Sequence, residues 1–163
     1  MAGRQPREGF VRRLRVYVDN SVFGGVHDDE FAEASKRFFE LVRKGRYRVL
    51  LSTITYDEIG RAPARARQVL EKLPDEALER VAITDEVQAL AQAYIEGGAL
   101  GDANRADALQ IAAATVSRAD LILSWNFRHI VNVNRIQKYG AINLLNGYAP
   151  VDIRSPLEVA YDD

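Results

Sequence analysis

The chain has 163 residues, of which 47% are hydrophobic, with 22 basic and 23 acidic side chains and a formal net charge of −1. These values predict one globular domain with a real core, and the charge balance neither indicates nor excludes a nucleic-acid partner. The absence of cysteine excludes disulfides and thiolate zinc sites and fits a cytoplasmic location. No apolar run approaches the roughly 18 residues that a membrane helix needs, so no membrane contact is expected.

The N-terminal residues 1–13 are basic, with four arginines against a single glutamate (Arg4, Arg7, Arg12, Arg13 and Glu8). We predict a flexible, solvated tail, and a basic arm that contacts phosphates is the alternative. The single domain is then expected to span residues 14–163. It begins with a strand at residues 14–18, rich in leucine and valine, which ends at Asp19. An acid at this position is a candidate ligand or acid–base group, although it also suits a turn.

Beyond this strand, apolar residues recur with helical spacing in some segments and form short runs in others. The predicted elements are helices at residues 28–44, from 52 or 53, at 63–73, 74–80, 84–96, from 102 or 104, and at 132–139, with strands at 47–51, 121–124 and 151–153. Strands therefore alternate with helices. This alternation predicts an α/β fold, a three-layer α/β/α sandwich with a short, mostly parallel sheet.

Two further carboxylates lie in predicted helices. Glu58 follows the second strand closely, and Asp107 lies in an alanine-rich helix whose other side chains are suited to burial. A charged group beside a buried face needs a partner, because desolvating a lone carboxylate is costly. For Glu58 a structural alternative is open, since Thr55 and Glu58 have the spacing of a capping box, in which the glutamate only bonds to a backbone N–H.

The carboxyl ends of parallel strands meet at one edge of a sheet, where open α/β folds bind ligands. Asp19, Glu58 and Asp107 are therefore expected to converge there. Hard oxygen ligands suit Mg²⁺ or Mn²⁺ better than zinc, and a divalent ion relieves the repulsion among such acids. The chemistry that this site suits is hydrolysis of a phosphodiester by a metal-activated water.

Four segments of the chain resemble the motifs of the PIN-domain nucleases. They are VYVDNS at positions 16–21, Glu58 after the second strand, ADALQIA at 106–112 and LSWN at 123–126. The third and fourth motifs are the most specific, and the resemblance covers nearly the whole chain. Among these nucleases, the chain is similar to the VapC-type toxins.

That resemblance implies a ribonuclease that depends on Mg²⁺ or Mn²⁺, often the toxin of a toxin–antitoxin pair and often a homodimer. Asp19, Glu58 and Asp107 match the metal-binding and catalytic acids of the family. The resemblance therefore favours a site role for Glu58 over the capping box. RNA and an antitoxin protein are the partners that it implies.

One position departs from the family's pattern. Many relatives have an aspartate after the fourth strand, where this chain has Asn126. We count Asn126 among the candidate catalytic residues, because a neutral amide can bind a metal-bound water or a phosphate. One carboxylate fewer weakens a second metal site in particular.

Several other side chains are candidates for contact with RNA: Ser21, Arg61, Arg128 and His129. Ser21 is equally suited to bond a metal-bound water or to stabilise a turn, and His129 also suits a surface or capping role. The segment that contains Arg61, Arg65, Arg67 and Lys72 is locally basic. It is either a solvated helix face or a rim that contacts phosphates. Trp125 is expected to pack beneath the loop that follows it.

Three other functions are weighed against the metal-dependent nuclease. A weakened PIN module that binds RNA or a protein without cleavage is the main alternative, because of Asn126. A phosphotransfer enzyme of the haloacid-dehalogenase type is disfavoured, since it requires a second aspartate where the chain has Ser21. Dinucleotide binding is disfavoured because Gly24 and Gly25 lack the glycine spacing that binds a pyrophosphate.

Overall fold

The computed structural model describes residues 13–161, so the tail predicted at residues 1–13 lies, except for Arg13, outside the described residues. Within residues 13–161, one five-stranded sheet is covered by seven α-helices. The strands are β1 (Leu14–Val18), β2 (Tyr47–Ser52), β3 (Leu78–Val81), β4 (Leu121–Leu123) and β5 (Asp152–Arg154). The helices are α1 (Asn20–Gly25), α2 (Ala32–Arg43), α3 (Thr53–Arg61), α4 (Ala64–Glu71), α5 (Asp85–Glu96), α6 (Arg105–Val116) and α7 (Val133–Leu145).

The strand β1 lies at the centre of the sheet, whose order is β3-β2-β1-β4-β5. All four strand pairings are parallel. The chain adds β2 and β3 on one side of β1 and then crosses over to add β4 and β5 on the other side. This reversal creates a topological switch point between β1 and β4, the place where open α/β sheets bind ligands. The predicted three-layer α/β/α fold is confirmed, and every observed pairing is parallel.

Both faces of the sheet are buried, as expected for parallel strands covered by helices. Because successive strand residues point to opposite faces, Val16 and Val18 pack in one core and Tyr17 packs in the other. The first core includes side chains from α1, α2, α3 and α4, and the second includes side chains from α5, α6 and α7. None of the helices within residues 13–161 is long and apolar enough to span a membrane.

The prediction of a helix at residues 74–80 is wrong. Pro74 begins only a 3₁₀ turn, Asp75–Ala77, and the chain then extends as β3 and pairs with β2 at the edge of the sheet. A segment this short carries too few apolar positions to distinguish a helix from a strand. The hydrogen bonds that β3 gains along β2 decide its conformation.

The end predicted for the last helix, at Gly140, is also wrong, because α7 continues to Leu145. Glycine lowers helix stability by about 1 kcal/mol relative to alanine, but Tyr139 and Asn143 on either side of Gly140 are buried and keep this segment helical. The helix begins at Val133, one residue later than predicted, because the side chain of Asn132 caps it by accepting a hydrogen bond from the backbone N–H of Arg135.

The glycine pair Gly24–Gly25 was not expected to be helical, yet it ends α1. Gly25 is required by packing, since a Cβ atom there would lie 2.6 Å from Ser35 Oγ and 2.8 Å from Trp125 Nε1. Trp125 Nε1 itself donates to Ser35 Oγ at 2.8 Å. Trp125 is only 6% exposed, so it packs beneath its loop as predicted. The helix α2 begins later than predicted, because Asp28 accepts the backbone N–H of Glu30 within a turn.

Candidate active site

Asp19 lies at the switch point, directly after β1 and directly before α1. Its backbone N–H donates to Leu123 O at 3.0 Å, which continues the pairing of β1 with β4 by one residue. The Asp19 side chain is 6% exposed and does not cap α1. The alternative prediction of a simple turn cap is therefore wrong, and the carboxylate is directed to other partners.

Two serine hydroxyls position the Asp19 carboxylate. Ser21 Oγ and Ser124 Oγ both donate to Asp19 Oδ2, at 2.7 and 2.8 Å. The same hydroxyl oxygens accept the backbone N–H groups of Trp125 and Asn126, each at 2.9 Å. The residues after β1 are thus bonded to the residues after β4 through the two serines. This arrangement leaves Asp19 Oδ2 with two donors and a fixed orientation.

Glu58 lies in the second turn of α3, and it is half-buried. The capping-box alternative is wrong, because α3 begins at Thr53 and no side chain caps it. Thr55 lies inside the helix, where it is fully buried. Burial raises the pKa of Glu58 to about 7, and repulsion from Asp19 and Asp107 adds to the increase, whereas Arg61 opposes it.

Asp107 lies in the first turn of α6 and is also half-buried. Burial raises its pKa above the ordinary value, and repulsion from Asp19 adds to this effect. Attraction to His129 and a side-chain hydrogen bond from Asn126 act in the opposite direction. Asp107 therefore faces the same region as Asp19 and the loop after β4.

Repulsion from Asp19 raises the pKa of both Glu58 and Asp107, and repulsion from Asp107 raises that of Glu58 further. None of them forms a salt bridge within residues 13–161. This donor chemistry fits a hard divalent cation. Two buried polar atoms next to the acids, Asn20 Oδ1 and His129 Nδ1, also have no hydrogen-bond partner among the described residues.

No group of three or more His, Asp or Glu side chains within the described residues is arranged to hold an ion together. Direct coordination of one ion by all three acids therefore stays a prediction. Mg²⁺ ordinarily retains several waters and binds through one or two carboxylates, so the side-chain positions suit a hydrated ion better than a closed cage. Asp19 and Asp107 are the acids whose surroundings are best defined by hydrogen bonds.

The side chain of Asn126 organises the loop after β4. Its Oδ1 accepts the backbone N–H groups of Arg128 at 3.2 Å and His129 at 3.0 Å, while its side chain is close enough to Asp107 to lower the pKa of that carboxyl. An aspartate here would accept the same two N–H groups but would repel Asp107. Asn126 thus contacts one of the candidate metal-binding acids, and its oxygen is already occupied by the backbone.

The predicted substrate-contacting residues surround this region at different depths. Ser21 is bonded to Asp19, His129 is half-buried, and Arg61 and Arg128 are exposed. Arg61 lies one helical turn beyond Glu58 and is close enough to lower the pKa of the Glu58 carboxyl. The two arginine side chains are therefore available to a ligand at the carboxyl edge of the sheet.

A cluster of buried polar side chains lies beneath Asp19, and it was not predicted from the sequence. The Tyr17 hydroxyl lies 2.7 Å from Ser52 Oγ, 3.2 Å from Thr55 Oγ1 and 3.4 Å from Gln110 Oε1. Gln110 Nε2 then donates to Asp19 Oδ1 at 3.4 Å. The available signal was a glutamine within the apolar run of α6, where a polar side chain needs a buried partner.

The family model described as the PIN domain matches residues 16–131. The chain belongs to the PIN-domain family. No curated protein matches this PIN domain by sequence.

Two solved structures resemble this PIN domain in fold. The crystal structure of VapBC2 from Rickettsia felis, bound to a DNA fragment from its promoter, matches with a TM-score of 0.57 and 12% identity over 87% of this chain and 98% of that one. VapC20 from Mycobacterium tuberculosis, described as a toxin that cleaves the sarcin–ricin loop, matches with a TM-score of 0.53 and 14% identity over 84% and 98%. At these identities the likeness concerns the fold.

Proposed function

We propose that this PIN domain is a divalent-metal-dependent endoribonuclease that hydrolyses RNA phosphodiesters. The observation that supports the proposal is the group of acids at the switch point, Asp19, Glu58 and Asp107, which repel one another and form no salt bridge within residues 13–161. A PIN-domain family model that spans most of the chain supports nuclease chemistry on this fold. The fold likeness to VapC20, a toxin that cleaves an RNA loop, is consistent with RNA as the substrate.

Each residue has a distinct role in this proposal. Asp19, Glu58 and Asp107 bind Mg²⁺ or Mn²⁺, which supplies an activated water and neutralises charge on the scissile phosphate. Ser21 and Ser124 hold Asp19 in one orientation by donating to the same carboxylate oxygen. These hydroxyls act through the acid, so they are positioning residues.

The loop residues and the exposed arginines complete the site. Asn126 fixes the loop after β4 and contacts Asp107. Arg61 and Arg128 are exposed at the same edge and bind the phosphates that flank the cleaved bond. His129, which attracts Asp107, lies where a phosphate or a leaving group is expected.

Cleavage of a mixed single-stranded RNA in the presence of Mg²⁺ or Mn²⁺ tests the proposal. Asp107→Asn and Glu58→Gln are expected to reduce the rate at least about 100-fold, because they remove negative charge from a metal site. Asp57→Asn is the matched control, since Asp57 is exposed and lies beside Glu58 on α3. Equal rates for the native protein and Asp107→Asn would contradict the proposal.

We further propose that the protein is the toxin of a toxin–antitoxin pair, that it acts in the cytoplasm and that it forms a homodimer. The likeness of its fold to VapBC2 and VapC20 supports the toxin assignment, and the homodimer is what the resemblance of the sequence motifs to the VapC-type toxins implies. Co-purification with the product of an adjacent small gene tests the antitoxin, and light scattering of the pure protein tests the dimer. A monomer without an adjacent partner gene would contradict both.

A second candidate function is a PIN module that binds RNA or a protein partner without cleaving it. The hydrogen bonds of Asn126 favour this alternative, because its oxygen is occupied by backbone N–H groups and adds no charge to the site. Titration with Mn²⁺ separates the two functions. RNA binding that persists without any Mn²⁺ binding at millimolar concentration would support the second function.

A further inference from the structure

Two adjoining cavities lie on the face of the sheet that is covered by α1, α2 and α4. The first, of about 320 Å³, opens between α2 and α4. Its apolar lining is formed by Val26, Phe39 and Val69. Its polar lining is almost entirely cationic: Lys36, Arg43, Arg65 and Lys72, with His27 at one end.

Helix geometry explains why these cations face one another. Lys36 and Arg43 are seven residues apart on α2, and Arg65 and Lys72 are seven residues apart along α4 and its C-terminal cap. Residues with this spacing lie on one side of a helix, about 10 Å apart along its axis. Each wall of the cavity therefore carries two cations, and the charged track is longer than a single phosphate group.

Among the residues that the structure describes, no acidic side chain lines this cavity. The four cations form no ion pair and no side-chain hydrogen bond within residues 13–161. All four are exposed, so they are available to an anion. A chain that is nearly neutral overall thus concentrates positive charge in one groove, as expected for a polyanion site.

The second cavity, of about 570 Å³, connects this groove to the candidate active site. His27 and Arg65 line both cavities. At its other end the second cavity reaches Asn20 and Ser21, and Ser21 is bonded to Asp19. Between these ends its lining is mainly apolar, from Ala62, Pro63 and Ala66, which suits a ribose or a base.

We propose that the two cavities form one groove for single-stranded RNA, in which Lys36, Arg43, Arg65 and Lys72 bind phosphates several nucleotides away from the cleaved bond. This inference rests on the proposed ribonuclease function, and it adds the path that the strand follows from the acids. Continuity with Ser21 favours RNA over an acidic polypeptide as the occupant, because the groove ends where a phosphodiester is to be hydrolysed.

The first test measures binding of a fluorescein-labelled, mixed-sequence 15-nucleotide RNA in EDTA, where no metal-dependent cleavage takes place. The double variant Arg65→Gln/Lys72→Gln is expected to bind at least about tenfold more weakly at 50 mM salt. The slope of log K against log salt should fall by about 1.4, since each phosphate contact to a single strand contributes about 0.7.

The matched control is the double variant Arg48→Gln/Lys138→Gln, which removes two exposed cations from the opposite face of the sheet. It has the same net charge as the test variant, and we expect its affinity for RNA to change less than twofold. Thermal unfolding of each variant verifies folding. Equal losses of RNA affinity in the two double variants would overturn the proposal that the groove binds RNA, because they would show only an effect of net charge.

A second test blocks the connection without changing any charge. Gly24 lines the second cavity, and a Cβ atom there meets nothing within 4 Å, so Gly24→Leu should fold normally and fill the passage. Gly60→Leu is the control, since Gly60 is also helical and equally unobstructed but lies outside both cavities. We expect Gly24→Leu to weaken RNA binding at least about fivefold, with no change for Gly60→Leu. Unchanged binding by Gly24→Leu would overturn the proposed path.

The outcomes separate this inference from the proposed function. Loss of metal-free binding only in the groove variants, with no cleavage by the native protein in Mn²⁺, would retain the groove and reject the ribonuclease. Normal cleavage with unchanged binding and an unchanged KM in the groove variants would reject the groove and retain the ribonuclease. Poly-glutamate that binds more tightly than RNA and competes with it would assign the groove to an acidic polypeptide and overturn the proposal.

Discussion

The two ends of the sheet use acidic side chains in opposite ways. At the amino end, Glu79 accepts two hydrogen bonds from Arg15, from Nε at 3.0 Å and from Nη2 at 2.9 Å, and this pairing lowers the pKa of Glu79. At the carboxyl end, burial together with repulsion from Asp19 and Asp107 raises the pKa of Glu58 to about 7. The same type of side chain is thus stabilised as an anion at one end and destabilised at the other.

The amino end shows that the chain pairs its acids when they serve the fold. Arg15 also donates to Ser117 O at 2.8 Å, and its backbone N–H donates to Asp120 Oδ2 at 2.9 Å. These bonds connect β1 to the end of α6 and to the start of β4. At the carboxyl end, the carboxylates have no cationic hydrogen-bond partners, and this lowers the stability of the folded protein. Losses of stability of this kind are concentrated at functional sites.

Among substitutions outside the three acids of the candidate active site, the largest effect is expected from Ser124→Ala at the carboxyl end. The substitution removes the donor to Asp19 Oδ2 and the acceptor for the backbone N–H of Asn126, both in a fully buried position. We predict a loss of about 1–3 kcal/mol of unfolding free energy and a 10- to 100-fold loss of RNA cleavage, as is typical when the support of a metal ligand is removed. Chemical denaturation and cleavage rates measure the two effects.

Ser117→Ala at the amino end is the control for this prediction. Ser117 Oγ donates to Ala114 O within α6, so its loss should change stability slightly and leave cleavage intact. If the two variants lost cleavage equally, the carboxyl end would have no special role in the reaction.

The next effect is expected from Asn126→Asp, which adds a fourth acid to the site. An aspartate can still accept the two backbone N–H groups, but it repels Asp107 instead of donating to it. We predict about tenfold tighter Mn²⁺ binding, because affinity for hard cations rises with the number of charged ligands. Calorimetric titration with Mn²⁺ measures the change.

Asn132→Asp is the matched control for Asn126→Asp, since Asn132 also accepts a backbone N–H but caps α7. It should leave Mn²⁺ affinity unchanged. Equal Mn²⁺ affinities in the native protein and Asn126→Asp would indicate that the loop after β4 does not contribute to a metal site.

Much of the fold was predictable because the signals for most elements are local. Apolar periodicity predicted a helix at residues 84–96, and α5 forms there, with the Thr84 hydroxyl accepting the backbone N–H of Val87 at its N-terminus. The placement of Asp19 after β1 and of Glu58 after β2 was predictable, because each lies shortly after a strand of a parallel sheet; their binding of one ion stays a prediction. β3 was not, because four residues at a sheet edge adopt a strand only through pairing with β2.

The surroundings of the acids were less predictable than their positions. Ser52 and Thr55 are common at helix starts, so their burial against Tyr17 has no local signature. The basic groove depends on the packing of α2 beside α4, whereas the sequence indicated only a basic segment with two interpretations. Interactions between segments far apart in the chain decide these features, and no single segment contains them.

Glu58→Gln should make the protein without metal more stable above neutral pH. Since the folded pKa of about 7 exceeds the ordinary 4.5, the carboxyl is stabilising only when protonated, and its contribution is lost as pH rises from 4.5 through 7. We predict a gain of about 1 kcal/mol at pH 8, discounted for solvent screening, and none at pH 4. Thermal unfolding in EDTA measures it.

Asp57→Asn is the control for Glu58→Gln, because Asp57 is exposed on the same helix. The gain in stability above neutral pH that we predict for Glu58→Gln should not occur in the Asp57→Asn variant. Added Mg²⁺ should reverse the order of stability by binding the native site more tightly than the variant. A native protein that Mg²⁺ does not stabilise would show that the acids do not hold this ion.

The smallest effect is expected from Glu79→Gln at the amino end, with the opposite dependence on pH. Its pKa lies below the ordinary 4.5, so the ion pair with Arg15 is fully stabilising above that pH and is lost as pH falls through the folded value. Because both side chains are partly exposed, we predict a loss of only about 0.5–1 kcal/mol at pH 7. This loss should diminish as the pH falls below 4.5, as urea denaturation at pH 7 and at successively lower pH will measure. Glu79→Gln and Glu58→Gln must therefore change stability in opposite directions at pH 8, and a shared sign would remove the distinction between the two ends of the sheet.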